Sequence, residues 1–142
     1  MNDDELRQML ALMETYKNRV EALTRQVTVL RSTLDEVNMA SESVKALMAA
    51  NEGDEILIPI GASSFMTVKV TSNKNIIVGV GSGVSVEKSA EDANAYMEAN
   101  AAEINEALKK TVNALNEVQQ ALTTVSDAVQ TEYMNRQQNP MQ

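Results

Sequence analysis

The sequence predicts an α+β chain in which two long helices pair as an antiparallel coiled-coil hairpin and two β-hairpins lie between them. Three observations carry this. All glycines (Gly53, Gly61, Gly79, Gly81 and Gly83) and Pro59 fall between residues 53 and 83, so only Pro140, in the tail, lies elsewhere and the flanking arms hold no helix breaker. Both arms repeat apolar residues in alternating steps of three and four. The segment between them alternates β-rich runs with turn residues. The expected boundaries are 1–52 for the first helix, 53–88 for the strand module, 89–136 for the second helix and 137–142 for a flexible tail, all within one domain.

In the first arm Leu6, Met9, Met13, Tyr16, Val20, Leu23, Val27, Leu30, Leu34, Val37, Ser41, Val44 and Met48 follow the heptad spacing, and all but Ser41 are apolar. A strict heptad sustained this long marks a coiled-coil seam, because a surface helix would drift toward a period of 3.6. Gly53 is placed to stop this helix.

The second arm carries the matching series Met97, Ala101, Ile104, Leu108, Thr111, Leu115, Val118, Leu122, Val125 and Val129. Ala93, Ala107, Ala114, Ala121 and Ala128 form a small-residue stripe beside it, which lets two backbones approach. Ser89 followed by Asp92 has the form of a capping box at its start. The two series mesh when residue numbers sum to about 138, which sets Met13 near Val125, Val20 near Val118 and Leu34 near Ile104. At ~1.5 Å per residue, arms of about 45 residues would be roughly 65–70 Å long.

The middle segment contains Glu55–Ile60, Phe65–Val70, Asn75–Val80 and Val84–Val86 as four strands in two hairpins. Ile56, Ile58 and Ile60 want one buried face, as do Met66, Val68 and Val70, and Ile76, Val78 and Val80. So small a sheet has open edges and little core, so other chains are the natural source of further strands. These residues, with Phe65, Val84 and Val86, are the expected oligomerisation surface.

Composition narrows the function. Aromatic residues make up 3% of the chain, with no Trp and one Phe, which is poor material for a compact core. The absence of Cys and His removes thiolate nucleophiles, sulfur-based zinc sites, the commonest general base and every Ser-His or Cys-His pair. A net charge of −8 without a local basic patch argues against nucleic acid and anionic lipid as partners. The acidic start Asn2-Asp3-Asp4-Glu5 is unlike a targeting peptide, and no apolar run approaches a membrane span, so a soluble cytoplasmic protein is expected.

Two motifs invite other readings. Gly79-Val-Gly-Ser-Gly83 has the look of a phosphate-binding loop, but Val84-Ser-Val86 continues as strand where that loop needs a helix N-terminus, so a hairpin turn is the better reading. The carboxylate pairs Asp35-Glu36, Glu91-Asp92 and Glu103 with Glu106 fall on outer helix faces and read as solvated surface rather than as acid-base or Mg²⁺ sites. No catalytic, cofactor or metal residue is assigned.

Apolar residues exceed the needs of the seam at one end only. Leu10 and Leu12 flank the first seam where Lys17, Arg19, Gln26 and Arg31 stand further along, and Met1, Met9, Met13, Met134 and Met141 gather near the termini. An antiparallel hairpin brings the termini to one tip, and flexible Met suits surfaces that accept many apolar sequences.

Taken together, Glu55-Ile-Leu-Ile-Pro-Ile-Gly-Ala-Ser-Ser-Phe65, Val78-Gly-Val-Gly-Ser-Gly-Val-Ser-Val-Glu-Lys-Ser89 and Glu91-Asp-Ala93 resemble the prefoldin family, specifically its alpha class, whose members carry two β-hairpins where the beta class carries one. The resemblance covers nearly the whole chain. It implies a hexamer of two alpha and four beta subunits whose hairpins complete a double β-barrel platform. It further implies ATP-independent capture of unfolded client proteins at the coil tips and their delivery to a group II chaperonin. By position at the tip, Leu6, Met9, Leu10, Leu12, Met13, Val129, Tyr133 and Met134 are the expected client-binding residues. The competing reading is a structural scaffold or filament subunit, which would have no use for the surplus Leu10 and Leu12. An enzyme comes third.

Overall fold

The computed structural model describes residues 1–139, so Pro140, Met141 and the end of the expected tail lie outside the described residues. The chain runs α1 (Asp3–Ala49), β1 (Glu55–Gly61), β2 (Ser64–Lys69), β3 (Ile76–Gly81), β4 (Val84–Lys88) and α2 (Ala90–Gln138). The predicted α+β order of helix, two hairpins and helix is the observed one. It divides into two compact units, Met1–Leu30 with the chain from Ala107 on, and Arg31–Glu106.

The first unit is built from the start of α1 and the end of α2. Leu6, Val125 and Val129 form a buried cluster with Met9, Leu10, Met13 and Tyr16 packed against it. Met13 and Val125 thus share one cluster, as the meshing rule requires. Leu23, Val27 and Thr111 are buried further along the seam. Thr111 satisfies its hydroxyl by donating to Ala107 O at 2.8 Å, which is why a polar residue can stand at a seam position. The alanine stripe departs from expectation at Ala107, which is exposed, while Ala114, Ala121 and Ala128 are half-buried.

The second unit joins the hairpins to the remaining helix segments. Ser41, the one polar member of the first seam, is buried and its Oγ lies 3.1 Å from Asn94 Oδ1 on α2. Lys45 Nζ meets Glu98 Oε1 at 3.1 Å across the same pair of helices. Val44, Val78, Ala90 and Ala93 form the buried core of this unit, with Leu47, Met48, Ile76, Tyr96 and Met97 against it. Ala93 is fully buried, so β3 rests its Val78 on a helix surface kept low by alanine.

Helix α1 stops at Ala49, earlier than Gly53, because residues 51–54 close a turn of their own. The N–H of Asp54 donates to Asn51 O at 3.0 Å and that of Asn51 to Asp54 Oδ2 at 2.9 Å. Gly53, at φ +90°, belongs to this turn and donates its N–H to Val70 O at 2.8 Å, which starts the first hairpin rather than capping the helix. At the other junction the N–H of Asp92 donates to Ser89 Oγ at 3.1 Å, the expected N-cap of α2. That helix continues through Gln138, so Gln137 and Gln138 are helical where a tail was expected.

Each hairpin is a separate two-stranded antiparallel sheet, β1 with β2 and β3 with β4. The first places Ile56 opposite Val68 and Ile58 opposite Met66; the second places Val78 opposite Val86. Both reverse through positive-φ pairs, Ala62 with Ser63 and Ser82 with Gly83, whose twist matches the strands they join. Gly79–Gly83 is therefore a strand end and hairpin turn, with no helix N-terminus following it.

Candidate functional site

In the first unit the eight expected tip residues divide by burial. Leu6 and Val129 are buried at 8% and 5% exposure and serve the core instead of a surface. Met9, Leu10 and Met13 are half-buried against them. Leu12, Tyr133 and Met134 are exposed at 41%, 47% and 54%, and Met1 joins them. The physical reason is the heptad itself: seam positions face the partner helix, while positions beside the seam face outward.

A polar clasp that the sequence reading missed fixes this end. Asn2 and Glu5 form a reciprocal capping box, with the N–H of Glu5 donating to Asn2 Oδ1 at 2.8 Å and that of Asn2 to Glu5 Oε2 at 3.0 Å. The Asn2-x-x-Glu5 spacing is the signal that would have found it. Arg136 on α2 donates to Glu132 Oε1 at 2.9 Å, to Asp3 Oδ1 at 2.8 Å and to Met1 O at 3.2 Å. The hydrogen bond from Arg136, and then its charge, hold the Asp3 carboxyl below the usual carboxylate range. Glu132 and Asp3 in turn raise the Arg136 guanidinium. Beside the clasp, Met1, Glu5, Gln8, Met9 and Leu12 line an open groove of about 360 Å³.

In the second unit the expected oligomerisation residues differ in burial along the strands. Val70 and Val78 are buried at 4% and 5%, and Ile56, Ile58, Val68 and Ile76 are half-buried. Toward the turns Ile60, Phe65, Met66, Val80 and Val84 are exposed, and so is Val86, directly opposite the buried Val78. Ile60 and Val80, expected on buried faces, lie where the register shifts before each turn, between Pro59 and Gly61 and between Gly79 and Gly81. The strand ends near the helices can rest on them; the ends near the turns have nothing of their own chain to cover them.

The opposite faces are also apolar, which the alternation argument did not anticipate: Leu57 is 62% and Ile77 76% exposed. Between the first hairpin and the helices lies a groove of about 380 Å³ with Val44, Leu47, Ile56, Ile58, Val68 and Val70 among its walls. Among the described residues no group of His, Cys, Asp and Glu is placed to hold a metal ion, and no helix is long and apolar enough to cross a membrane. What this module can do is present strand edges and apolar side chains to other strands.

A family model described as prefoldin subunit matches residues 16–135. Prefoldin subunit alpha of Methanothrix thermoacetophila is 35% identical over 108 residues, which is 76% of this chain and 71% of that one. Prefoldin subunit alpha of Pyrococcus horikoshii is 32% identical over 130 residues, 91% of this chain and 88% of that one. A filamentous PFD from Methanocaldococcus jannaschii, solved by cryo-EM, aligns at a TM-score of 0.49 with 22% identity, covering 86% of this chain and 95% of that one.

Proposed function

Because this chain belongs to the prefoldin family, in its alpha class, we propose that it is a holdase subunit that captures non-native proteins without ATP and delivers them to a group II chaperonin. Its partners in this reading are beta-class subunits, two alpha to four beta, in the cytoplasm, with the whole chain acting as one domain. The hairpins complete a β-barrel only in that oligomer, through Ile56, Ile58, Ile60, Phe65, Met66, Val68, Val70, Ile76, Val78, Val80, Val84 and Val86. Within that set, Val70 and Val78 shape the hairpins from behind, whereas the exposed members make the contacts.

Client capture falls to Leu12, Tyr133 and Met134, backed by Met9, Leu10 and Met13, with Leu6 and Val129 holding the platform on which they stand. The observation that carries the reading is the coexistence of a closed seam and exposed Leu12, Tyr133 and Met134 at the same end of the helix pair. Each exposed side chain offers about 25 cal/mol per Å² covered, so one tip binds weakly and several together bind by avidity. Weak, multivalent and unselective contact is what a holdase requires.

The test is to assemble the chain with a beta-class partner and measure aggregation of a chemically unfolded client without nucleotide, then after addition of a group II chaperonin and ATP. Suppressed aggregation followed by recovery of folded client supports the reading. An assembly that forms but leaves aggregation unchanged would instead fit a scaffold.

A further inference from the structure

The groove lined by Met1, Glu5, Gln8, Met9 and Leu12 combines apolar and polar side chains. Met1, Met9 and Leu12 supply apolar walls, and Glu5 is its one ionisable lining side chain. Over residues 1–14 and 127–139 the acidic side chains are Asp3, Asp4, Glu5, Glu14, Asp127 and Glu132, against the side chains of Arg7 and Arg136 and the terminal ammonium of Met1, so acids remain in excess. Neither arginine lines the groove. Arg136 is held between Asp3 and Glu132, and Arg7 Nη1 lies 3.6 Å from Asp4 Oδ1. Glu5 Oε2 accepts only a backbone N–H in the capping box, so its negative charge meets no side-chain cation there.

Resting on the proposed client-binding role of this tip, we propose that the groove selects client segments in which an apolar side chain is flanked by Lys or Arg. The apolar side chain occupies the space between Met1, Met9 and Leu12, and the neighbouring ammonium or guanidinium lies against the Glu5 carboxylate. Arg136 acts as a positioning residue, since its bond to Met1 O holds the wall that Met1 provides. A segment flanked by Asp or Glu fits the same walls but meets like charge. The tip therefore discriminates by charge while staying tolerant of apolar shape.

The test uses the full-length chain assembled with a beta-class partner and three labelled peptides that share a central Leu-rich core flanked by Lys, Ser or Glu. Binding is read by fluorescence anisotropy at low and physiological salt. The Lys-flanked peptide is expected to bind about three- to tenfold more tightly than the Glu-flanked one, with the ratio shrinking as salt rises. Glu5→Gln keeps the capping-box geometry, because Gln serves that position as well, and should at least halve the ratio, chiefly by weakening the Lys-flanked peptide. Leu12→Ser should weaken all three. Peptides that bind with no charge preference, or with one that Glu5→Gln leaves intact, overturn this inference and leave the tip reading standing. If Leu12→Ser leaves all three peptides bound as before, the tip reading itself falls and this inference with it.

Discussion

Phe65→Ser is expected to weaken assembly without weakening the chain that carries it. The ring of Phe65 is 62% exposed, and a phenylalanine side chain presents about 150–250 Å², so about 90–155 Å² is available for a partner to cover. At ~25 cal/mol per Å² that is about 2–4 kcal/mol for each fully covered ring, or roughly 30- to 700-fold in a dissociation constant. Val78→Ala is the matched opposite. Val78 is 5% exposed and packs with Val44, Ala90 and Ala93, so removing its two methyl groups costs the chain about 2 kcal/mol of its own stability, cavity included. Sedimentation velocity over a dilution series with a beta-class partner reads the first effect, and urea unfolding of the isolated chain by circular dichroism reads the second. The reasoning is refuted if Phe65→Ser assembles at the same concentrations as the parent, or if it destabilises the isolated chain as much as Val78→Ala does.

Cysteines at Leu34 and Ile104, both half-buried seam positions, should form an intrachain crosslink on mild oxidation. Failure there with success one heptad away would move the register but keep the fold. The Asp3–Arg136 clasp should be intact at neutral pH and open in acid. A carboxyl whose folded pKa is depressed contributes stability that is fully present above its unfolded pKa and is lost as pH falls through the folded one, so opening belongs below about pH 4. Protection of the Leu6 amide, taken relative to its intrinsic exchange rate at each pH, should then fall in the parent, whereas Asp3→Asn should show the lower protection already at pH 7. An identical pH profile in both proteins removes the clasp from the account.

The helices and hairpins were readable because their signals are periodic and local. Every seam position from Leu6 to Met48 and from Met97 to Val129 is buried or half-buried, since a heptad repeat can satisfy its apolar residues in one way only. The strands were readable from β-branched runs between Gly-rich turns. Their faces were only half readable: alternation gave Ile56, Ile58, Ile76 and Val78 a buried face and left Leu57 and Ile77 unassigned, although Ile56-Leu57-Ile58 and Ile76-Ile77-Val78 are also the kind of unbroken apolar run found in strands covered on both sides. Gly53 misled because helix stop and turn both favour a positive-φ glycine, and the Asn51–Asp54 bonds that decide between them involve backbone atoms the sequence does not display.

At the tip, the surplus of Leu and Met was visible, but its division into core and surface was not. Leu6 and Leu10 lie four residues apart on one helix face, and only the packing of α2 buries the former fully and the latter in part. Leu12, two residues on from Leu10, turns away from that packing. The Arg136 clasp joins residues far apart in sequence through single side chains, and no local pattern announces such a contact.

The central claim, that clients are held by the exposed apolar residues of the tip, is tested most directly by replacing Leu12, Tyr133 and Met134 together with Ser. Leu6, Val125 and Val129 stay in place, so the helix end keeps its core. Aggregation of an unfolded client is then followed by light scattering in the presence of the assembled complex, whose mass is checked on the same sample. The account predicts unchanged mass and a sharp loss of protection. Unchanged mass with full protection would contradict it and place client binding elsewhere on the assembly.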